Sequence, residues 1–266
     1  MRTPHIALSV GVLVGLLFTG TAHAHTDTGV GAPVPTGTKA LTHNPLYRSG
    51  KLTLPCARHP EDSGSVAAAK KHLTAILGCL NASWSKQLKK TGMPFRKPTI
   101  QFMTKPGRAC GSAWGKYHTG RYCTSRQRMV IMISDYAVKT PDHPSMLHLM
   151  AHEYAHHVQN LTGILNAHAH LPARTKAQAL TQSRRLELQA DCLGAAFVAS
   201  VWSSQNYRDE DWEGVVDHYR DSGDEKVNKE RSHGTGKNRA AWLQRGFAGA
   251  SPAACNTWTA PASRVA

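Results

Sequence analysis

The sequence predicts a mostly helical domain that carries a small sheet and is stapled by disulfides. Three observations lead there. Three long stretches repeat their apolar residues at helical spacing, two short runs are dense in Ile, Val, Phe and Met, and six cysteines lie between residues 56 and 255.

The first helix is expected from Ser65 to about Lys90, where Val66, Leu73, Ile76, Leu77, Leu80, Trp84 and Leu88 share one face. Lys86, Lys89 and Lys90 form its solvated end, and Thr91-Gly92-Met93-Pro94 stops it. Pro98 to Met103 and Met129 to Ser134 read as strands, separated by an excursion that contains Cys110 and Cys123. A second helix begins around Asp142-His143-Pro144-Ser145 and carries Leu147, Met150, Ala151, Tyr154, Val158 and Leu161 up to Gly163. A third runs from about Thr175 to Ser203 with Leu180, Leu186, Leu188, Leu193, Ala196, Phe197 and Val201. Its start is basic and exposed, whereas its end is nearly all apolar and must be buried. No internal repeat and no heptad pattern occurs.

The N-terminus speaks to location. Arg2, the apolar run from Ile6 to Phe18 and the small-x-small triplet Ala22-His23-Ala24 read as a signal peptide over residues 1–24. The rival reading is a membrane anchor, but this run is short of the roughly 20 residues that span a bilayer. No Cys follows the cleavage site and no later segment reads as transmembrane, so a secreted, extracellular protein is expected. Residues 25–50 are rich in Gly, Pro and Thr and read as a flexible leader, with a short propeptide as the other reading. Residues 51–266 are then one domain, enough for a single sizeable core.

An even number of cysteines in an exported chain favours disulfides. Cys110 with Cys123, which bracket a Gly-rich turn, is the first expected pair. Cys56 with Cys79 is the second, which leaves Cys192 with Cys255. A cysteine zinc site is disfavoured because no CxxC spacing exists. The formal charge of +15 loses only Arg2 on cleavage, leaving +14. Such a chain suits association with anionic cell-envelope polymers, although dispersed Lys and Arg also serve simple solubility. Nothing matches a specific nucleic-acid-reading motif.

The chemistry concentrates at His152-Glu153-Tyr154-Ala155-His156. On a helix, residues four apart share a face, so both imidazoles can reach one tetrahedral zinc while Glu153 reaches a water on it. This is the HExxH arrangement of zinc peptidases. Catalytic zinc usually has three protein ligands. Glu187-Leu188-Gln189-Ala190-Asp191 offers two carboxylates at i and i+4, and Glu187 is assigned as the third ligand with Asp191 orienting a ligand imidazole. The alternative pairs both acids with Arg184 and Arg185 on the helix surface. His148 falls one turn before His152 and reads as exposed or capping. His157 should point away from the metal, and His168 and His170 lie in an Ala- and His-rich loop.

His-Glu-Tyr-Ala-His-His-Val-Gln-Asn-Leu-Thr-Gly-Ile (152–164), Glu-Leu-Gln-Ala-Asp-Cys (187–192) and His-Gly-Thr-Gly (233–236) together resemble the putative neutral zinc metallopeptidase family. Cys110, Tyr122-Cys123, Arg239 and Trp242 extend the likeness. The resemblance implies a zincin-like α+β fold with Zn2+ on His152, His156 and Glu187, and with Glu153 catalytic. The chain departs from the family pattern at Ala155, where Gly is common, and at Thr119 to Thr124, where a Gly-Pro-Phe-Tyr-Cys-Pro run is usual.

The expected activity is hydrolysis of peptide bonds in a peptide or protein substrate, through a zinc-activated water with Glu153 as general base. His233 is the candidate for stabilising the oxyanion, with Tyr154 and Tyr207 behind it and a plain surface-loop role for His233 as the alternative. Two other readings exist: a peptidase acting on cell-wall peptides, and a non-catalytic, zinc-stabilised envelope-binding protein. Glu153 argues against the last, since a structural site needs no base.

Overall fold

A computed structural model describes residues 33–57, 63–115, 118–226 and 231–266. The expected signal peptide lies outside these residues. Among them, no helix is long and apolar enough to cross a membrane.

Two helices build the centre. Helix α4 (Pro144–Leu161) starts with Pro144 in its first turn and a His143 side chain that accepts from Ser145 N–H. Helix α6 (Lys176–Gln205) is capped by Thr175, whose hydroxyl accepts from Gln178 N–H, and ends on Asn206 in the left-handed region. The two pack against one another, and Ala151, Ala155 and Val158 of the first and Ala190, Leu193 and Phe197 of the second are all buried. Gly194 permits the close crossing. A Cβ there would lie 3.1 Å from His152 N and 3.2 Å from His148 Nε2. Truncating a fully buried side chain such as Phe197 to Ala would cost about 3–5 kcal/mol.

On one side of α4 stands α2 (Val66–Lys89), capped by the Ser65 hydroxyl, with Leu73, Leu80, Trp84 and Leu88 buried. On another lies a mixed three-stranded sheet of β1 (Thr99–Met103), β5 (Arg128–Met132) and β4 (Gly120–Cys123), in the order β1-β5-β4. β1 runs parallel to β5 with Thr99 opposite Arg128, and β4 runs antiparallel with Gly120 opposite Ile131. The Cys110–Cys123 excursion adds a two-stranded ribbon, β2 (Arg108–Ala109) with β3 (Ser112–Ala113), and a short helix α3 (Asp135–Lys139) follows β5. Beyond α6 come α7 (Asp209–Asp221) and α8 (Gly236–Gly249), for which the sequence reading assigned no element. α7 begins with Asp209, Glu210 and Asp211, where acids suit a helix N-terminus. The chain is thus α+β, mostly helical with a small sheet.

All three disulfides pair as expected, Cys56–Cys79, Cys110–Cys123 and Cys192–Cys255. The last closes a 63-residue span and ties α6, one residue after Asp191, to the C-terminal turn.

The leader needs correction. Of residues 25–50, those from Pro33 onward are described, and they are not a mobile tail. They form α1 (Gly37–Thr42) and a 3₁₀ turn (Pro45–Arg48), with Ala40, Leu41 and Leu46 buried. The buried Asn44 donates to Ala40 O and Thr162 O, and Gln87 donates to Ser49 O and Gly50 O. Composition misled here because a few well-placed apolar residues, rather than their overall density, dock the segment.

Candidate metal centre

α4 and α6 bring three of the expected residues together. Nε2 of His152 and Nε2 of His156 stand 3.4 and 3.3 Å from Glu187 Oε2. Each residue offers one donor atom, and the three lie within 4.8 Å of one another. Ligands about 2.0–2.1 Å from a common tetrahedral centre would be about 3.3 Å apart, so this donor set fits zinc in both chemistry and spacing.

Each histidine is oriented from behind. His152 Nδ1 donates to Asp191 Oδ1 at 2.8 Å, and a carboxylate can only accept, so Nε2 is the nitrogen turned toward Glu187 and left to take a metal in place of a proton. Asp191 is itself fully buried and receives Arg239 of α8 through Nε at 3.0 Å and Nη2 at 3.2 Å. The Arg239 guanidinium stacks 4.5 Å over the Tyr219 ring. Burial alone would push Asp191 up, but Arg239 and His152 hold it well below the usual carboxylate range. His156 Nδ1 meets Gln159 Oε1 at 2.8 Å. Burial opposes a charge on His152, yet its hydrogen bonds to Asp191 and Glu187 outweigh this and push the imidazole up to about 10.

Glu153 sits beside these donors, only 6 % exposed, and its Oε2 has no hydrogen-bond partner among the described residues. Burial raises its pKa against the lowering effect of His152 and His156. β4 passes so close that a Cβ on Gly120 would lie 2.5 Å from Glu153 Oε1. Gly120 therefore leaves room for the carboxylate.

His233 comes to the same place, with Nε2 at 3.6 Å from Glu187 Oε2 and a side chain 39 % exposed. Its turn is pinned by Asp224, whose Oδ2 accepts from the N–H groups of His233 and Gly234. The weaker oxyanion candidates fall elsewhere. Tyr154 is buried and donates to Asn81, and Tyr207 donates to Asp142 O. His148 also differs from expectation. It is fully buried, bonded to Tyr219 Oη and Asp191 O, because α6 and α7 cover the face that seemed open in the sequence. His157 points away, to Tyr122 and Arg96 O, and His168 lies on α5 (Ile164–Ala169) near Trp258. Arg184 and Arg185 reach backbone carbonyls of Val265, Arg231, Thr257 and Ala260, not the two acids.

Sequence reasoning missed Gln159, Gln189 and Tyr219, and it noted Arg239 without a role. Gln159 and Gln189 stand inside the quoted motifs, so buried amides next to ligand residues were the available signal.

A family model described as putative neutral zinc metallopeptidase matches residues 54–258. Among curated proteins, the uncharacterized protein YpfJ of Escherichia coli strain K12 is 28 % identical over 209 residues, covering 71 % of each chain. The uncharacterized proteins Mb2605 of Mycobacterium bovis and Rv2575 of Mycobacterium tuberculosis are each 29 % identical over 133 residues, covering 42 % of this chain and 44 % of their own. No solved structure matches significantly.

Proposed function

The chain belongs to the putative neutral zinc metallopeptidase family, and on that premise we propose that it is an exported, zinc-dependent peptidase of zincin-like fold. His152, His156 and Glu187 hold the metal, Asp191 orients His152, and Glu153 is the general base. When bound, zinc supplies Lewis acidity and lowers the pKa of a water toward about 7. Glu153 takes the proton from the attacking water and hands it to the leaving amine nitrogen as the peptide bond breaks. His233, beside Glu187, donates to the oxygen that gains charge in the transition state.

The observation that carries this reading is a buried Glu153 carboxylate beside the three converging donors of His152, His156 and Glu187. A site that merely held the fold together would need those ligands and no further carboxylate at the metal. This favours catalysis over a non-catalytic, envelope-binding protein. A peptide substrate is favoured by β4, which is one of the sheet's two edge strands and runs alongside Glu153. Its outer edge is unpaired among the described residues, and such an edge can take an extended backbone. Three disulfides support export, and the basic charge supports work near anionic envelope polymers, where cell-wall peptides are one candidate substrate.

The test is metal analysis with a peptide-library digest. The wild type should carry one zinc per chain and cleave in a chelator-sensitive way. Glu153→Gln should retain zinc and lose cleavage, and surviving cleavage would overturn the mechanism.

A further inference from the structure

His156 is not backed by a charge. Gln159 Oε1 faces its Nδ1 at 2.8 Å, and the amide nitrogen of Gln159 lies 2.9 Å from Leu186 O and 3.0 Å from Gln189 Oε1. The Gln189 amide nitrogen in turn lies 3.1 Å from Cys255 O and 2.8 Å from Tyr47 Oη, and Tyr47 Oη is 2.7 Å from Leu41 O. Three of these partners, the carbonyls of Leu186, Cys255 and Leu41, can only accept. Leu186 O therefore fixes which end of the Gln159 amide is nitrogen, and Cys255 O does the same for Gln189. Leu41 O fixes the Tyr47 hydroxyl as its donor, which leaves the phenol oxygen free to accept from Gln189. Every link then has one direction. Gln159 must offer His156 an oxygen, so His156 carries a proton on Nδ1, and Nε2 is the nitrogen it presents toward Glu187 and a metal.

We propose that this directed chain, His156 to Gln159 to Gln189 to Tyr47 to Leu41, sets the tautomer and aim of His156, making Gln159 and Tyr47 positioning residues of the metal site. Both glutamines are fully buried, so water does not compete for their bonds. The chain ends in the Pro45–Arg48 turn and α1. The docked N-terminal segment is thereby part of the site's support. The inference rests on the zinc-site reading above.

The experiment measures zinc affinity by competition with a chromogenic chelator, and the ligand-field bands of cobalt-substituted protein, in the full chain. Gln159→Leu keeps side-chain volume and removes the acceptor; zinc affinity should fall about 10- to 100-fold and the cobalt bands should shift. Tyr47→Phe deletes one oxygen more remote from the histidine and leaves the packing intact. It should weaken zinc several-fold, with a smaller shift in the same bands. Wild-type affinity and spectrum in both variants would overturn the proposal while leaving the zinc site standing. A wild-type protein that takes up no zinc would overturn both.

Discussion

His152 leans on a buried ion pair, while His156, one helical turn later on the same face of α4, leans on two neutral amides. Both supports do the same geometric job, fixing a proton on Nδ1. They differ in what they bring into the interior. Asp191 adds a negative charge that must be met, and Arg239 meets it with two hydrogen bonds at 3.0 and 3.2 Å. The Gln159–Gln189 pair adds no charge and needs only that every polar atom be satisfied. A divalent cation at the three donors, together with Arg239, would balance the charges of Glu153, Glu187 and Asp191. A second carboxylate behind His156 would leave that small volume with an excess negative charge, expensive to bury. One charged support and one neutral support is thus a charge-balanced solution, and it predicts unequal fragility.

The sharpest way to break the comparison is Asp191→Asn. The side chain keeps its shape, but the Arg239 guanidinium is left buried without a counter-charge, and unpaired buried ions of this kind cost about 3–5 kcal/mol. Urea unfolding of the metal-free protein should show a loss of that size, with zinc affinity falling as well. Gln159→Leu should cost less, about 1–3 kcal/mol, since it strands neutral acceptors and donors only. Equal losses in the two variants would remove the distinction.

An effect of similar size separates the two sides by pH. His148 is packed behind Asp191, and burial, against the raising effect of Asp191, pushes its pKa down to about 4 from about 6.5 in the unfolded chain. The unfolded state therefore takes up a proton between these values when the folded state does not, so stability falls as the medium is acidified from about pH 6.5 to 4. The full loss from this one group is about 3 kcal/mol. His148→Gln should flatten that part of the stability profile. An unchanged slope between pH 6.5 and 4 would show that His148 is not held neutral. No titrating group lies in the amide chain behind His156, apart from the histidine and Tyr47 themselves.

The two supports were also unequally legible. Asp191 could be read from sequence because Glu187 and Asp191 share a helix face four residues apart, and spacing of that kind is local. Its partner Arg239 sits 48 residues further on, and its role depends on how α8 folds back over α6 and α7 packs on α8 and α4. No local periodicity encodes that crossing, and for the same reason His148 looked exposed. Gln159 and Gln189 were in plain view but silent, since a glutamine carries no titration or ligand signature until its partners are known. Tyr47 lay in a segment whose composition suggested disorder. The strands at 98–103 and 129–134 and the three long helices were legible because apolar spacing reports burial directly. β4, only four residues long and without a clear apolar alternation, was not.

The finest test keeps the charge behind His152 and changes only its geometry. Arg239→Lys preserves a cation for Asp191 but replaces a planar fork with a single ammonium, so one of the two bonds to the carboxylate and the stacking on Tyr219 are lost. If charge balance is what matters, the cost should be about 1–2 kcal/mol, well below that of Asp191→Asn, because no buried ion is left without its opposite. Zinc should stay bound at neutral pH, with affinity lowered less than by Gln159→Leu. If Arg239→Lys instead matched Asp191→Asn in both unfolding free energy and zinc loss, the fork geometry and not the charge would be the part of this support that holds His152. The two sides of the site would then differ in degree rather than in kind.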